Sequence, residues 1–222
     1  MRKYTIVCYF FILLAGSCTK NETITSSSLG YSYFPLDSGW VKIYAVDSIA
    51  FDDNNQSVDT FHFLLKERFL GNIIGIEGEN YREIERSVQT DTNNIWEPRN
   101  SYFVSKTNNT IQFFDENIRV VKLVFPIGNV LSWNGNQYNN LGRKTFFLQN
   151  INKPFNNGDT TFGNCITVQE ALANNAIEEI LIKSIYQDGI GLVDATNNYV
   201  NTQIAGKSGY KVRQKLLSFK YP

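Results

Sequence analysis

Residues 40–65 read WVKIYAVDSIAFDDNNQSVDTFHFLL, and this stretch shows most clearly which fold class the chain adopts. Its first part, residues 40–51, is rich in aromatic and β-branched side chains, which favour a pleated, half-buried surface. The run of Asp and Asn at residues 52–55 is typical of a tight turn, because these side chains hydrogen-bond to nearby backbone. Phe61, Phe63 and Leu65 then share one face at the two-residue period of a strand. The stretch predicts two strands joined by a hairpin turn.

Asparagine pairs like the one in this turn recur along the rest of the chain. They lie at residues 54–55, 93–94, 108–109, 139–140, 156–157, 174–175 and 197–198. Each pair predicts a turn, since Asn tolerates the left-handed backbone conformation. Segments with strand character lie between the pairs, and aromatic residues make up 14% of the chain. About 10–12 strands at this spacing predict an all-β, single antiparallel domain built as a curled sheet, a barrel or a sandwich.

Two segments need separate interpretation. Residues 118–125 (IRVVKLVF) are nearly continuously apolar, which predicts a central strand covered on both faces. Pro126 ends this strand, since proline cannot continue a central ladder. Residues 169–186 (QEALANNAIEEILIKSIY) place several apolar side chains near one helical face, but their spacing departs from the helical period at one step. A hairpin turning at Asn174-Asn175 is favoured over a helix.

The alternation of the strands also predicts the core. One β core should bury most of seven residues, which are Trp40, Tyr44, Phe61, Phe63, Val121, Leu123 and Leu192. Cys165 lies in an apolar strand and is expected to be a buried, inert thiol, because burial raises a thiol pKa. His62 alternates out of the phenylalanine face and is expected to face solvent.

The first eighteen residues predict where the protein resides. Arg2 and Lys3 precede an apolar run at residues 5–14 (TIVCYFFILL), which is too short to span a bilayer, and small residues follow it. This is the pattern of a secretory signal peptide. The stretch LAGSC, which ends at Cys18, resembles the lipobox of bacterial lipoproteins. In that family the cysteine is acylated and becomes the first mature residue.

The chain is therefore divided into three parts. Residues 1–17 are predicted to be a lipoprotein signal peptide, and residues 18–30 a lipidated Cys18 with a flexible tether. The tether sequence TKNETITSSSLG is too polar to bury enough surface to become ordered. Residues 31–222 are predicted to form the single β-rich domain.

The opening of this domain resembles a group of uncharacterised lipoproteins from Bacteroidota. Residues 33–53 (YFPLDSGWVKIYAVDSIAFDD) match its Phe-Pro-Leu, Gly-Trp, Tyr and Val-Asp-Ser elements, although the Gly39-Trp40 junction is shorter. Residues 164–168 (NCITV) and 186–193 (YQDGIGLV) resemble two of its later strands. The resemblance implies a shared antiparallel β fold and carries no activity. Gly189 and Gly191 are expected to permit a bend or bulge between strands.

Composition and residue inventory exclude several function classes. Lys plus Arg and Asp plus Glu both number 21, so the chain has no basic surplus for binding nucleic acid. It has one histidine, too few for a typical zinc site, and no nucleophile elbow or phosphate-binding glycine loop. Glu83 and Glu85 share a strand face, but ion pairing with Arg82 and Arg86 at the surface is the simpler account. No catalytic residue, cofactor or metal is predicted.

Three functions remain open. The first is a non-enzymatic, membrane-anchored lipoprotein that binds an unknown protein or glycan, or serves the cell envelope. Its place would be the outer membrane, on either the periplasmic or the surface face. The second is a carbohydrate-binding accessory of a glycan-uptake system, with Trp96 and Trp133 as candidate ligand-binding residues near loops. The third is a hydrolase that uses carboxylates.

Overall fold

The computed structural model describes residues 29–76, 78–90, 94–203 and 206–222. In this part of the chain twelve antiparallel strands form one sheet, which curls into a nearly closed barrel. The all-β class and the single domain were thus predicted correctly, and among the three open architectures the fold is a barrel. The predicted signal peptide at residues 1–17 and the candidate lipid anchor Cys18 lie outside the described residues.

The strands are long and follow one another along the chain. Their bounds are β1 (Val41–Asp52), β2 (Ser57–Ile74), β3 (Asn80–Thr90), β4 (Glu97–Lys106), β5 (Thr110–Asp115), β6 (Ile118–Val124), β7 (Ser132–Asn134), β8 (Thr145–Asn156), β9 (Thr161–Asn174), β10 (Glu178–Gln187), β11 (Gly191–Gln203) and β12 (Gly206–Lys220). A short 3₁₀-helix, Tyr31–Tyr33, precedes β1.

Each strand pairs with its sequence neighbours, except at one seam. The order in the sheet is β6-β5-β4-β3-β2-β1-β12-β11-β10-β9-β8-β7, so β6 and β7 are the two edges that face each other. The Val121 amide donates to Gly135 O at 2.8 Å, and the Trp133 indole donates to Val121 O at 2.9 Å. These bonds hold the edges together where regular ladder pairing is missing.

The N-terminal segment fills one end of the barrel. We call residues 29–40 the plug and this end the plugged end. Phe34 packs against Phe113 of β5, with ring centroids 5.3 Å apart, and against Tyr186 of β10 at 6.0 Å. Because β5 and β10 lie on nearly opposite walls, the Phe34 side chain occupies the lumen between them. The turns that join β1 to β2, β5 to β6 and β9 to β10 lie at the other end, the open end.

Most predicted turns within the described residues are confirmed, and one is wrong. Asn93, of the pair at residues 93–94, lies outside the described residues. Residues 169–186 form the favoured hairpin: β9 ends at Asn174, β10 begins at Glu178, and the Asn175 side chain accepts hydrogen bonds from the amides of Ile177 and Glu178. The turn predicted at Asn197-Asn198 is wrong, because both residues lie within β11 and pair with β10 and β12. Ladder bonds on both sides override the local preference of Asn for turns.

The predicted core needs two corrections. Phe61 is 53% exposed, because β2 pairs with β3 only from Phe63 onward and its earlier residues project beyond the barrel wall. The buried apolar residues also form two clusters rather than one, the first around the plug and the seam and the second around Tyr44. Trp40, Val121 and Leu123 are buried as predicted.

Strand β6 is covered on both faces as predicted, but it is not central. It lies at an edge of the sheet, and residues of the segment after β7 hydrogen-bond to that free edge. The Asn139 side chain donates to Arg119 O at 2.8 Å there. The apolar pattern of residues 118–125 therefore predicted the burial of β6 correctly. It could not predict that β6 is an edge strand, because that depends on contacts with the segment after β7.

Candidate functional site

The barrel contains a cavity of about 620 Å³ between the plug and the open end. Its apolar wall consists mainly of Phe113, Ile118, Val120, Ile182, Leu192 and Val212. Its polar groups include Arg86, Asp115, Lys122, Glu170, Ser184, Asn197 and Gln214. Phe113 and Tyr186 line the cavity and also pack on Phe34, so the plug borders the cavity on its inner side.

Three charged residues lie side by side on the inner face of β1, β2 and β3. Lys42 is opposite Glu67 in one ladder, and Glu67 is opposite Arg86 in the next. Lys42 and Glu67 are 1% and 3% exposed. One oxygen of Glu67 accepts from Arg86 Nε and from the Tyr102 hydroxyl, each at 3.1 Å. The carboxylate is thus paired and hydrogen-bonded, as a buried charge must be.

The ammonium group of Lys42 is held by neutral groups, and it lies across the β1–β2 ladder from Glu67. Lys42 Nζ donates to Ile190 O at 2.5 Å and lies 5.3 Å and 5.1 Å from the ring centroids of Trp40 and Phe69. Burial lowers the pKa of Lys42 to about 8, and the negative charge of Glu67 opposes this shift. Lys42 therefore remains a cation at neutral pH.

Arg86 connects this row to the cavity. Its Nη1 donates to Asp115 Oδ2 at 3.2 Å, and its guanidinium carbon lies 4.0 Å from the centroid of the Tyr102 ring. Lys42, Glu67, Arg86 and Asp115 therefore form a chain of alternating charge that reaches the cavity wall. In this chain each charge is adjacent to at least one charge of opposite sign.

A second ion pair lies across the seam. Lys122 of β6 donates from Nζ to Glu170 Oε1 of β9 at 2.6 Å. Both residues are extra residues in their strands: the β5–β6 register skips Lys122, and the β9–β10 register skips Glu170. β-Bulges re-aim side chains, and here two bulges bring the partners together at the cavity. Burial, and then the charge of Glu170, raise the pKa of Tyr186 beside them.

One polar atom at the cavity wall has no partner. Gln214 Nε2 is buried and makes no hydrogen bond to the described residues, and Gln214 lines the cavity. An unsatisfied buried donor is costly. A molecule in the cavity that offers a hydrogen-bond acceptor would satisfy this donor.

The two tryptophans proposed as ligand-binding residues are not brought together. Trp96 precedes β4, Trp133 lies in β7, and strands β5 and β6 separate them. Trp133 is 8% exposed, bonds to Val121 O and packs against Phe146, so it belongs to the core at the seam and has no free face for a sugar ring. Lys66 Nζ lies 4.2 Å from the centroid of the Trp96 ring. Neither residue lines the cavity.

The single histidine and the described cysteine lie far apart in the fold. His62 faces solvent on the outer side of β2, as predicted, and its Nδ1 lies 2.7 Å from Asp47 Oδ1. Cys165 is 2% exposed and belongs to the Tyr44 cluster. Burial raises the pKa of Cys165 to about 11, so this thiol stays protonated at neutral pH.

Sequence reasoning missed the interior charges. Arg82 and Arg86 were expected to pair at the surface with Glu83 and Glu85, but strand alternation places both arginines on the inner side, where Arg82 bonds to Leu36 O and Leu70 O. Glu85 pairs instead with Arg68 on the outer face, at 2.5 Å. A signal was present, since Lys42 shares its strand face with Trp40 and Tyr44, two residues predicted to be buried.

No group of three or more His, Cys, Asp and Glu side chains within the described ranges is placed to hold a metal ion. Asp52 lies in the β1–β2 turn and accepts hydrogen bonds from the amides of Asn54 and Asn55. Its carboxylate therefore serves the turn.

The described part of the chain contains no helix with the length and hydrophobicity needed to cross a membrane. No protein-family model matches the sequence, and a search of curated proteins finds no match.

Proposed function

We propose that this domain is a non-enzymatic binding module that holds a small molecule inside the barrel. The observation that carries the proposal is the cavity of about 620 Å³. Small-molecule sites are usually concave, measure several hundred Å³ and combine apolar wall residues with polar groups that orient the ligand, and this cavity has both kinds of residue. The mouths of β-barrels are among the places where such sites occur.

The chemistry of the cavity supports binding over catalysis. Four of its ionisable side chains are paired with one another: Arg86 with Asp115, and Lys122 with Glu170. A general acid or base must be free to exchange a proton with a substrate. Cys165 also does not suggest catalysis, because its thiol is buried outside the cavity and its raised pKa keeps it protonated.

The N-terminal sequence supports a membrane-anchored location. We propose that Cys18 is lipidated and holds the domain in the bacterial cell envelope, as in the lipoproteins that the sequence resembles. Leu29 meets the barrel at the plugged end, where its carbonyl accepts from the Ile127 amide at 3.1 Å. The anchor would then join the plugged end, and the open end would face away from the lipid.

The binding role can be tested with N-phenyl-1-naphthylamine, a neutral dye that fluoresces in apolar sites. We expect the mature domain to bind it with a saturable increase in fluorescence. Ala195→Trp would place a large ring at the cavity wall and should abolish binding. Thr60→Trp, which adds the same ring at an exposed position of β2, is the control and should leave binding intact. If the parent domain does not bind the dye, or if both variants bind it equally well, the proposal is wrong.

The anchor has a separate test. Mass spectrometry of the protein from its native membrane should show acyl mass on a peptide that begins at Cys18, and Cys18→Ser should block normal processing. An unmodified mature chain that begins elsewhere would overturn the anchor and leave the cavity proposal standing.

A further inference from the structure

We infer that the cavity selects an uncharged amphipathic ligand, with an apolar body and a polar head group that offers an oxygen acceptor, such as an alcohol, ester or amide. This inference rests on the proposed binding function and narrows it to one class of molecule. It follows from the way the barrel neutralises its interior charges.

The charges inside the barrel balance each other. Three cations and three carboxylates lie in or next to the cavity, namely Lys42, Arg86, Lys122, Glu67, Asp115 and Glu170. Arg82 is also on the inner side of the barrel, but it bonds to Leu36 O and Leu70 O and does not line the cavity. The other six form one alternating chain and one separate pair, with contacts of 3.1, 3.2 and 2.6 Å between the bonded atoms. Five of these six charges thus have an ion-pair partner, and Lys42 lies opposite Glu67 in the β1–β2 ladder.

The remaining ionisable groups at the cavity wall do not change this balance. Lys144 and Glu116 carry opposite charges, and Glu116 lies in the exposed β5–β6 turn. Lys183 aligns with Thr196 and, through it, with Arg213. This row faces outward, next to the lining row of Ile182, Asn197 and Val212, so the Lys183 side chain adds no cation to the lumen. The cavity therefore has no strong electrostatic potential of one sign that would attract an ionic ligand.

An ion that enters this cavity would lose its hydration shell without finding a free counter-charge. The cost of removing a charge from water is several kcal/mol unless a partner compensates it. A neutral molecule avoids that cost. The apolar wall favours a hydrophobic body, and the unpartnered Gln214 Nε2 favours an oxygen acceptor on the ligand.

Three probes with the same alkyl chain and different charge test the inference. 1-Decanol, decanoate and decyltrimethylammonium are each titrated against the domain loaded with N-phenyl-1-naphthylamine. We expect 1-decanol to displace the dye at a concentration at least about tenfold lower than either ion, the equivalent of about 1.4 kcal/mol. Thr60→Trp, at an exposed position of β2 that does not line the cavity, should preserve this order.

Two variants give the charge argument a second, independent readout. Glu170→Gln leaves Lys122 without its carboxylate, so displacement by decanoate should improve by about tenfold relative to 1-decanol. Lys122→Met leaves Glu170 without its ammonium partner, so decanoate should become weaker still. The melting temperature of each variant shows whether the barrel remains folded.

The outcomes separate the two proposals. Absence of dye binding to the parent would overturn the binding function, and this inference with it. Dye binding combined with displacement by decanoate or decyltrimethylammonium at concentrations equal to or below that of 1-decanol would overturn the ligand class alone. Unchanged probe preference in a folded Glu170→Gln variant would show that the Lys122–Glu170 pair does not set selectivity.

Discussion

Lys42 and Glu67 face each other across strands β1 and β2 inside the barrel, both almost fully removed from solvent. A charge that folding takes out of water is tolerated only with partners. Here the carboxylate is shared with Arg86 and Tyr102, and the ammonium relies on one carbonyl and two aromatic rings. The stability of the barrel should therefore depend on this pair in ways that single substitutions and pH can reveal.

The lowered pKa of Lys42 predicts a specific pH dependence. Below pH 8 the folded and unfolded states both hold the proton, and stability carries the full cost of burying the cation. Between pH 8, the folded-state value, and 10.5, the unfolded-state value, the unfolded state holds more protons. Unfolding free energy should therefore rise with pH in this window, by up to about 3 kcal/mol.

Lys42→Met tests that assignment, because it keeps the length of the side chain and removes the titrating group. Urea unfolding of the parent between pH 7 and 10 should show the rise, and the variant should lack it. Above about pH 10 the buried tyrosines with raised pKa values, Tyr44 and Tyr102, should lower stability in both proteins as they ionise in the unfolded state. The same slope in parent and variant would show that another group is responsible.

Glu67→Gln should be strongly destabilising. The substitution leaves Lys42 and Arg86 as neighbouring interior cations and weakens the bond from Tyr102. Loss of one partner from a buried ion pair typically costs about 3–5 kcal/mol. Glu85→Gln is the matched control on the outer face, where the Arg68 pair is partly exposed and should contribute less than about 1 kcal/mol. If chemical denaturation shows that the two variants lose the same unfolding free energy, the burial of Glu67 does not explain its contribution to stability.

Gly191 should be much less tolerant of alanine than Gly189. Both glycines have positive φ angles, +90° and +77°, so both substitutions strain the backbone by about 1–2 kcal/mol. Only at Gly191 does an added Cβ meet other atoms, lying 2.8 Å from Lys42 Nζ, whereas nothing lies within 4 Å at Gly189. Gly191→Ala should therefore show the lower melting temperature. A similar loss at both positions would mean that Lys42 moves away without cost.

Cys165 should be protected from thiol reagents in the native protein. Burial and a pKa raised to about 11 leave little accessible thiolate at pH 7. Labelling with 5,5′-dithiobis-(2-nitrobenzoic acid) should be slow in buffer and complete in 6 M guanidinium chloride. The control is Thr60→Cys, which adds an exposed cysteine on β2 and should react at once. Rapid stoichiometric labelling of native Cys165 would contradict its position in the core.

Local sequence patterns were sufficient to predict the β class, the single domain and most turns. These features depend on local chemistry: the two-residue alternation in strands such as residues 60–65, and the turn-forming side chains of asparagine pairs such as Asn174-Asn175. The same local reasoning predicted the solvent-facing side of His62 and the burial of Cys165. It failed at Asn197-Asn198, where pairing with strands on both sides decided the conformation.

The near-closure of the sheet into a barrel, and the contents of the barrel, follow from tertiary contacts and not from local patterns. Closure depends on the meeting of β6 with the segment around Trp133 and Gly135, a contact between surfaces that no local pattern encodes. The pairing of Lys122 with Glu170 depends on two bulges and on that closure. A single charged residue in a strand sequence predicts a side chain that faces solvent. Such a side chain can be buried in the barrel only when a distant strand supplies the opposite charge.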